Sequence, residues 1–189
     1  MHLLRKRVLL RILFSSSTVL GVCRTSEAAC LYLNPDHNVV QQWNKIAEEA
    51  IVAVPPNGAG AIQNEGLLYM GYVSAAVYDA VVAIEGGYQP YAYRPRSAGQ
   101  RNAVMGASVN AAVSEAAYRV LRFYFPSQAV SLVACHDEAL ASILNGSAKT
   151  NGIAVGAAAA DGIIRQRASD GRQAIGTVST CAATIRSAA

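Results

Sequence analysis

Few side chains in this sequence could do chemistry, and their spacing narrows the kinds of chemistry open to them. The candidates are three histidines (His2, His37, His136), four cysteines (Cys23, Cys30, Cys135, Cys181) and one carboxylate inside an apolar run, Asp79. The cysteines are too scattered for a zinc site, which needs ligand pairs two to four residues apart. In an oxidising compartment, Cys30, Cys135 and Cys181 are compatible with one disulfide plus a free thiol. They are equally compatible with three unpaired thiols, Cys135 being buried. His136-Asp137-Glu138 are adjacent, and adjacent positions on a helix point in different directions. They cannot together grip one metal, and they read as a solvated face. No Ser–His–acid triad or Cys–His pair offers a nucleophile. Gly58-Ala59-Gly60 has neither the spacing nor the preceding strand of a phosphate-cradling loop. The sequence therefore supplies no catalytic, cofactor-binding or metal-ligating residue.

Asp79 needs an account of its own, because a buried carboxylate is costly unless it is paired or hydrogen-bonded. It either caps or salt-bridges a neighbouring element, with Arg101 or Arg119 as partners, or it is a catalytic acid or metal ligand. No second carboxylate or histidine stands at helical spacing from it, which favours the structural role. Downstream, Gly86 to Gln100 interleaves Tyr88, Tyr91 and Tyr93 with Arg94 and Arg96. Such a segment can bind nucleic acid or phosphate. The simpler reading packs the rings over a helix end and pairs the arginines to carboxylates.

The elements that must position these groups are helical. Residues 65–85 form a long, almost uncharged run in which positions 66, 70, 73, 77, 80, 81 and 84 share one side at the helical period. The opposite side is nearly as apolar, so the run reads as a central helix buried all round, ended by Gly86-Gly87. About 20 such residues could also span a bilayer; the Gly, Ser and Ala content and the central Asp79 argue for a buried core helix instead. Ahead of it, Asn38 and Gln41 can form a capping box for an amphipathic helix with Val39, Val40, Trp43, Ile46, Ala47, Ala50, Ile51 and Val54 on one stripe. Pro55-Pro56 stops that helix, and Trp43 is its core anchor. A third helix runs from Arg101 to Phe125, its small residues (Ala103, Gly106, Ala107, Ala111, Ala112, Ala116) allowing close approach of the central helix. A fourth runs from Ser127 to Leu144 with Val130, Val133, Ala134, Leu140, Ala141 and Leu144 as its apolar face. After a polar turn over 145–151, a fifth spans Ile153 to Ala168. The fold class is all-α, a helical bundle of about five helices.

Within these elements, Ala76-Val77-Tyr78-Asp79-Ala80-Val81-Val82-Ala83-Ile84-Glu85, followed by Gly87 and Tyr88-Gln89-Pro90-Tyr91, resembles the N-terminal helical part of vanadium-dependent haloperoxidases. These enzymes are related to the type 2 phosphatidic acid phosphatases. Val40-x-x-Trp43-Asn44-x-Ile46-Ala47, Phe125-Pro126-Ser127-Gln128 and Arg165-Gln166-Arg167-Ala168-Ser169-Asp170-Gly171 agree, so the resemblance spans about residues 38–171. It implies an N-terminal helical region, incomplete relative to the family's two-bundle core. A complete member would use vanadate to oxidise halide with hydrogen peroxide. The family's site patterns are Lys-x6-Arg-Pro, Pro-Ser-Gly-His and Ser-Arg-x5-His, and none is met here. Arg94-Pro95 has Gly87 where the lysine should stand, Pro126-Ser127 is followed by Gln128-Ala129, and no Ser-Arg dipeptide occurs. The resemblance thus implies the front part of such a protein, inactive as this chain, its partner being the missing C-terminal helical bundle or a second copy meeting it through exposed helix faces. A non-catalytic exported binding or scaffold module, or a fragment of a related acid phosphatase, is the alternative.

At 189 residues with 52% hydrophobic and 15% charged residues, the chain is rich enough to bury a core and is not generally disordered. Its net charge of +4 resides in the leader. Arg5, Lys6, Arg7, Arg11 and Arg24, with Glu27, fall in residues 1–28, and taking these from 16 bases and 12 acids leaves 11 of each. A neutral folded part offers no stripe for a nucleic-acid backbone. Residues 1–28 read as a signal peptide, a basic start before an apolar run and then Ser26-Glu27-Ala28-Ala29. The expected location is secreted or periplasmic, with an uncleaved anchor or organellar import as alternatives, and no membrane span remains after cleavage. Residues 29–171 form the helical domain, and 172–189 an irregular tail.

Overall fold

The computed structural model describes residues 30, 38–53 and 62–170. The leader, His37, the Gly58-Ala59-Gly60 segment, Cys181 and the 172–189 tail lie outside the described residues. The fold is an all-α bundle: α1 (Val39–Ala53), α2 (Ile62–Glu85), α3 (Ala98–Val104), α4 (Val109–Tyr124), a 3₁₀ turn (Pro126–Gln128), α5 (Ala129–Ala141) and α6 (Ser147–Arg167). The described residues contain no strand.

Helix α1 starts as its sequence dictates. The Gln41 N–H donates to Asn38 Oδ1 and the Asn38 N–H to Gln41 Oε1, both at 3.0 Å, so two free helix-end donors are satisfied reciprocally. Trp43 is fully buried, and its indole Nε1 donates to Ser114 Oγ of α4 at 3.0 Å. Burial of the ring and satisfaction of its one donor anchor α1 to the bundle.

The centre of the bundle is α4, which touches α1, α2, α5 and α6. Residues Ala111–Tyr118 of it are all buried, as are Val120 and Leu121. The expectation of a central α2 buried all round is therefore corrected. One side of α2 is buried (Tyr72, Val73, Ala76, Val77, Asp79, Ala80), while Leu67 is 73% exposed and Leu68 47%. When both faces of a helix are apolar, the pattern cannot say which one the neighbours cover. By length and composition Glu65–Glu85 could cross a membrane, and 39% of that stretch is buried within the bundle.

The helix expected over 101–125 is two helices. Ser97 and Gln100 close a capping box that starts α3, Met105 is extended, Gly106 turns with φ +72°, and Ser108 caps α4 by accepting from the Ala111 N–H at 3.3 Å. Glycine at positive φ followed by a serine cap is a helix stop and restart. The bundle consequently has six helices among the described residues, not five. In α5 the apolar face is also corrected. Leu132, Cys135 and Ala139 point inward, whereas Val130 is 81% exposed and Leu144, beyond the helix end, 92%. Cys135, on that inward side, is joined to Cys30 by a disulfide, and α5 packs this side against α4.

Helix α6 begins at Ser147, earlier than its apolar period suggests, because its polar first turn carries no stop signal. It lies against α4 backbone to backbone. The Ser108 N–H donates to the Ala148 carbonyl at 2.8 Å, and a Cβ on Gly156 would overlap the Ala112 carbonyl oxygen and come within 2.9 Å of Glu115 Cβ. The small residues Ala111 and Ala112 thus receive α6. We predict that Gly156→Ala lowers stability by about 1–3 kcal/mol through overpacking, read from the urea midpoint. An unchanged midpoint would show that the seam yields at no cost.

Candidate functional site

The stretch from Tyr78 to Tyr93 folds as a clamp between α2 and the loop that follows it. Asp79 is fully buried and accepts three backbone N–H groups: Tyr91 on Oδ1 at 2.5 Å, and Ala92 and Tyr93 on Oδ2 at 2.7 Å each. The adjacent Tyr78 donates its hydroxyl to the Gln89 carbonyl at 2.9 Å. Gly86 and Gly87, at φ +72° and +81°, reverse the chain so that the loop can return to α2. The expected arginine partners of Asp79 are not used: Arg101 donates to the Arg96 carbonyl at 2.5 Å, and Arg119 meets Asp161 at 3.2 Å and Glu115 at 3.5 Å. A fully buried carboxylate that accepts three backbone amides is turned towards its own loop, which is a structural role.

Beyond the clamp the loop lines a polar hollow of about 410 Å³ against α6, with Tyr93, Arg94, Arg96, Gln100, Asp161 and Arg165 on its walls. The pairing of these arginines to carboxylates, expected from sequence, does not occur. Arg94 donates to the neutral Gln89 Oε1 at 3.0 Å, and Arg96 and Arg165 make no side-chain hydrogen bond or ion pair with the described residues. Burial pushes the Tyr93 phenol up from its ordinary value, so it remains uncharged at neutral pH.

A second opening, of about 710 Å³, lies between α2 and the end of α6, with Leu67, Leu68, Ala75, Tyr91 and Arg167 among its walls. The Arg167 guanidinium sits 5.6 Å from the Tyr72 ring centre and 5.5 Å from that of Tyr91, and donates to the Tyr91 hydroxyl. Among the described residues, its Nε is the one buried side-chain polar atom without a hydrogen bond.

His136 departs from the solvated face expected of it. Its side chain is 13% exposed, Nε2 lies 2.7 Å from Glu115 Oε2, and the ring stacks on Tyr118 at 4.1 Å. Asp137 and Glu138 are exposed, and Glu138 Oε2 accepts the Cys30 N–H at 2.8 Å beside the disulfide. Sequence reasoning missed Glu115, Ser114 and the arginine hollow. Each depends on contacts between distant helices, and no local spacing announces them.

Among the described residues, no three His, Cys, Asp or Glu side chains gather to hold a metal. Vanadate would need a histidine beside its cationic cradle. Among the described residues the arginine hollow contains none, and His136 is occupied by Glu115 and Tyr118. These residues do not fit the group. No family model, curated protein or solved structure matches the chain.

Proposed function

We propose that this chain is the N-terminal helical portion of a vanadium-dependent haloperoxidase-like protein and serves there as a packing module without catalytic groups of its own. The observation that carries this reading is the Asp79 clamp. The residues that resemble the family are the same ones that hold α2 to its loop: Tyr78, Asp79, Gly87 and the backbone at Gln89 and Tyr91. Their roles are structural, as suits a region remote from chemistry. The Cys30–Cys135 disulfide supports an exported location, secreted or periplasmic, since such bonds persist in oxidising compartments.

The test pairs a transcript with an assay. The polypeptide read from the full transcript, if it contains Pro-Ser-Gly-His and Ser-Arg-x5-His, is expected to brominate an organic acceptor only with vanadate present. The 189-residue chain alone is expected to do nothing. A transcript without those patterns, or halogenation by the short chain, sinks the proposal. Phosphate-ester hydrolysis inhibited by vanadate would assign the parent to the acid phosphatases instead. The exposed Leu67 and Leu68 beside the larger opening favour a second reading, a scaffold module that meets another helical partner or a second copy there.

A further inference from the structure

We propose that the hollow between the 92–96 loop and α6 is a binding site for a phosphate-type dianion, held by Arg94, Arg96 and Arg165. This goes beyond the packing role and does not depend on the family reading. Three guanidinium groups line one hollow in which, among the described residues, the one carboxylate, Asp161, is already engaged by Arg119 at 3.2 Å. Arg94 spends one N–H on a neutral amide, and Arg96 and Arg165 spend none on the described residues. Each guanidinium keeps planar, paired donors of the kind that match a tetrahedral oxyanion.

The backbone that presents them is fixed independently of any ligand. The loop is pinned before Arg94 by the three amides on Asp79. It is pinned again at Arg96, whose N–H donates to Gln100 Oε1 at 2.8 Å and whose carbonyl accepts from Arg101 at 2.5 Å. Arg165 stands on α6 one turn after Asp161, and Gly162 between them lies against the loop, where a Cβ would make ordinary contact with Tyr93 Cβ at 3.6 Å. A ligand would therefore meet cations whose main chain needs no ordering, and only side-chain freedom is lost on binding. Among the described residues, no histidine, serine or cysteine lines the hollow, and the proposal is one of binding. Phosphate groups and sulfate present the same geometry, and the measurement separates them.

The experiment is calorimetric titration of the full chain with inorganic phosphate and, separately, sulfate, at pH 7.5 and constant ionic strength set with chloride. Saturable binding to one site is expected. The double variant Arg96→Ala/Arg165→Ala should weaken it about a hundredfold, roughly tenfold for each charge-assisted contact. Lys45→Ala, on α1, should leave it unchanged. Inorganic phosphate takes up its second proton between pH 7.5 and 5.5, so its binding should fall over that interval while that of sulfate holds. Phosphate bound at least as tightly as sulfate at pH 7.5 assigns the site to phosphate groups, and the reverse order assigns it to inorganic sulfate. No saturable binding of either anion, or equal affinity in the double variant, overturns the proposal. All three arginines are exposed, so their loss should leave the fold intact.

Discussion

Asp79→Ala is expected to lower folding stability by about 4 kcal/mol, from the loss of charge-assisted hydrogen bonds and the orphaning of their donors. The wild-type carboxylate is fully buried and satisfies the N–H groups of Tyr91, Ala92 and Tyr93. Alanine leaves those amides without an acceptor. They either stay unpaired in the interior or swing out to water, taking the buried Tyr93 ring with them. Charged hydrogen bonds contribute about 1.5–3 kcal/mol each and are not additive, which is why the figure falls below their sum. Asp79→Asn separates charge from shape. Its amide oxygen keeps part of the acceptor set, while its NH₂ now faces an N–H donor, so a loss of about 2 kcal/mol is expected. Urea unfolding of the three proteins gives the comparison. A loss below about 1 kcal/mol for the alanine variant would mean the clamp is not a major determinant of stability.

Breaking the bond between Cys30 and Cys135 is the second large effect. The two residues are 105 apart in sequence, so the bond closes a loop covering more than half of the chain. Closure of a loop of about 100 residues removes denatured-state entropy equivalent to about 4.7 kcal/mol. We predict that Cys135→Ser, or full reduction after unfolding, costs about 4 kcal/mol on that account. Small domains hold about 5–15 kcal/mol in all, so either change takes a large part of the total. Both cysteines are buried, so mild reductant added to the folded protein should act slowly. The melting temperature with and without reduction gives the check: identical values would show that the bond contributes nothing.

The sequence announced what is local. The Asn38–Gln41 box, the Gly86-Gly87 stop, the burial of Trp43 and the all-α class follow from short spacings and stand in the structure. The split at Gly106 was legible in principle, since glycine followed by Ser108 is a stop-and-cap pair, but the surrounding alanines continue a helical pattern across it. What could not be read was any decision made by contact. Val130 and Leu144 look like core residues, yet α5 turns Leu132 and Cys135 inward against α4, a choice made by contacts with distant residues, Cys30 among them. Asp79 was rightly given a structural role, yet its partners were sought among arginines because backbone amides have no letter in a sequence. For the same reason the unpaired state of Arg96 and Arg165 became visible only with the fold in hand.

The seam of α4 with α6 inverts the usual rule of which substitutions harm a core. In most interiors truncation is damaging, because a removed side chain leaves a void. Here Gly152 and Gly156 meet the backbone at Ser108 and Ala112 and the Cβ atoms of Ala111 and Glu115, and at the two glycines there is no side chain to remove. Each alanine or glycine buries little apolar area, so the seam owes its closeness to shape more than to hydrophobic transfer. At these two positions the permitted alphabet is bounded from above, and anything larger than glycine forces the helices apart. Gly152 and Gly156 should therefore be as intolerant of substitution as the large buried residues of the bundle, for the opposite reason.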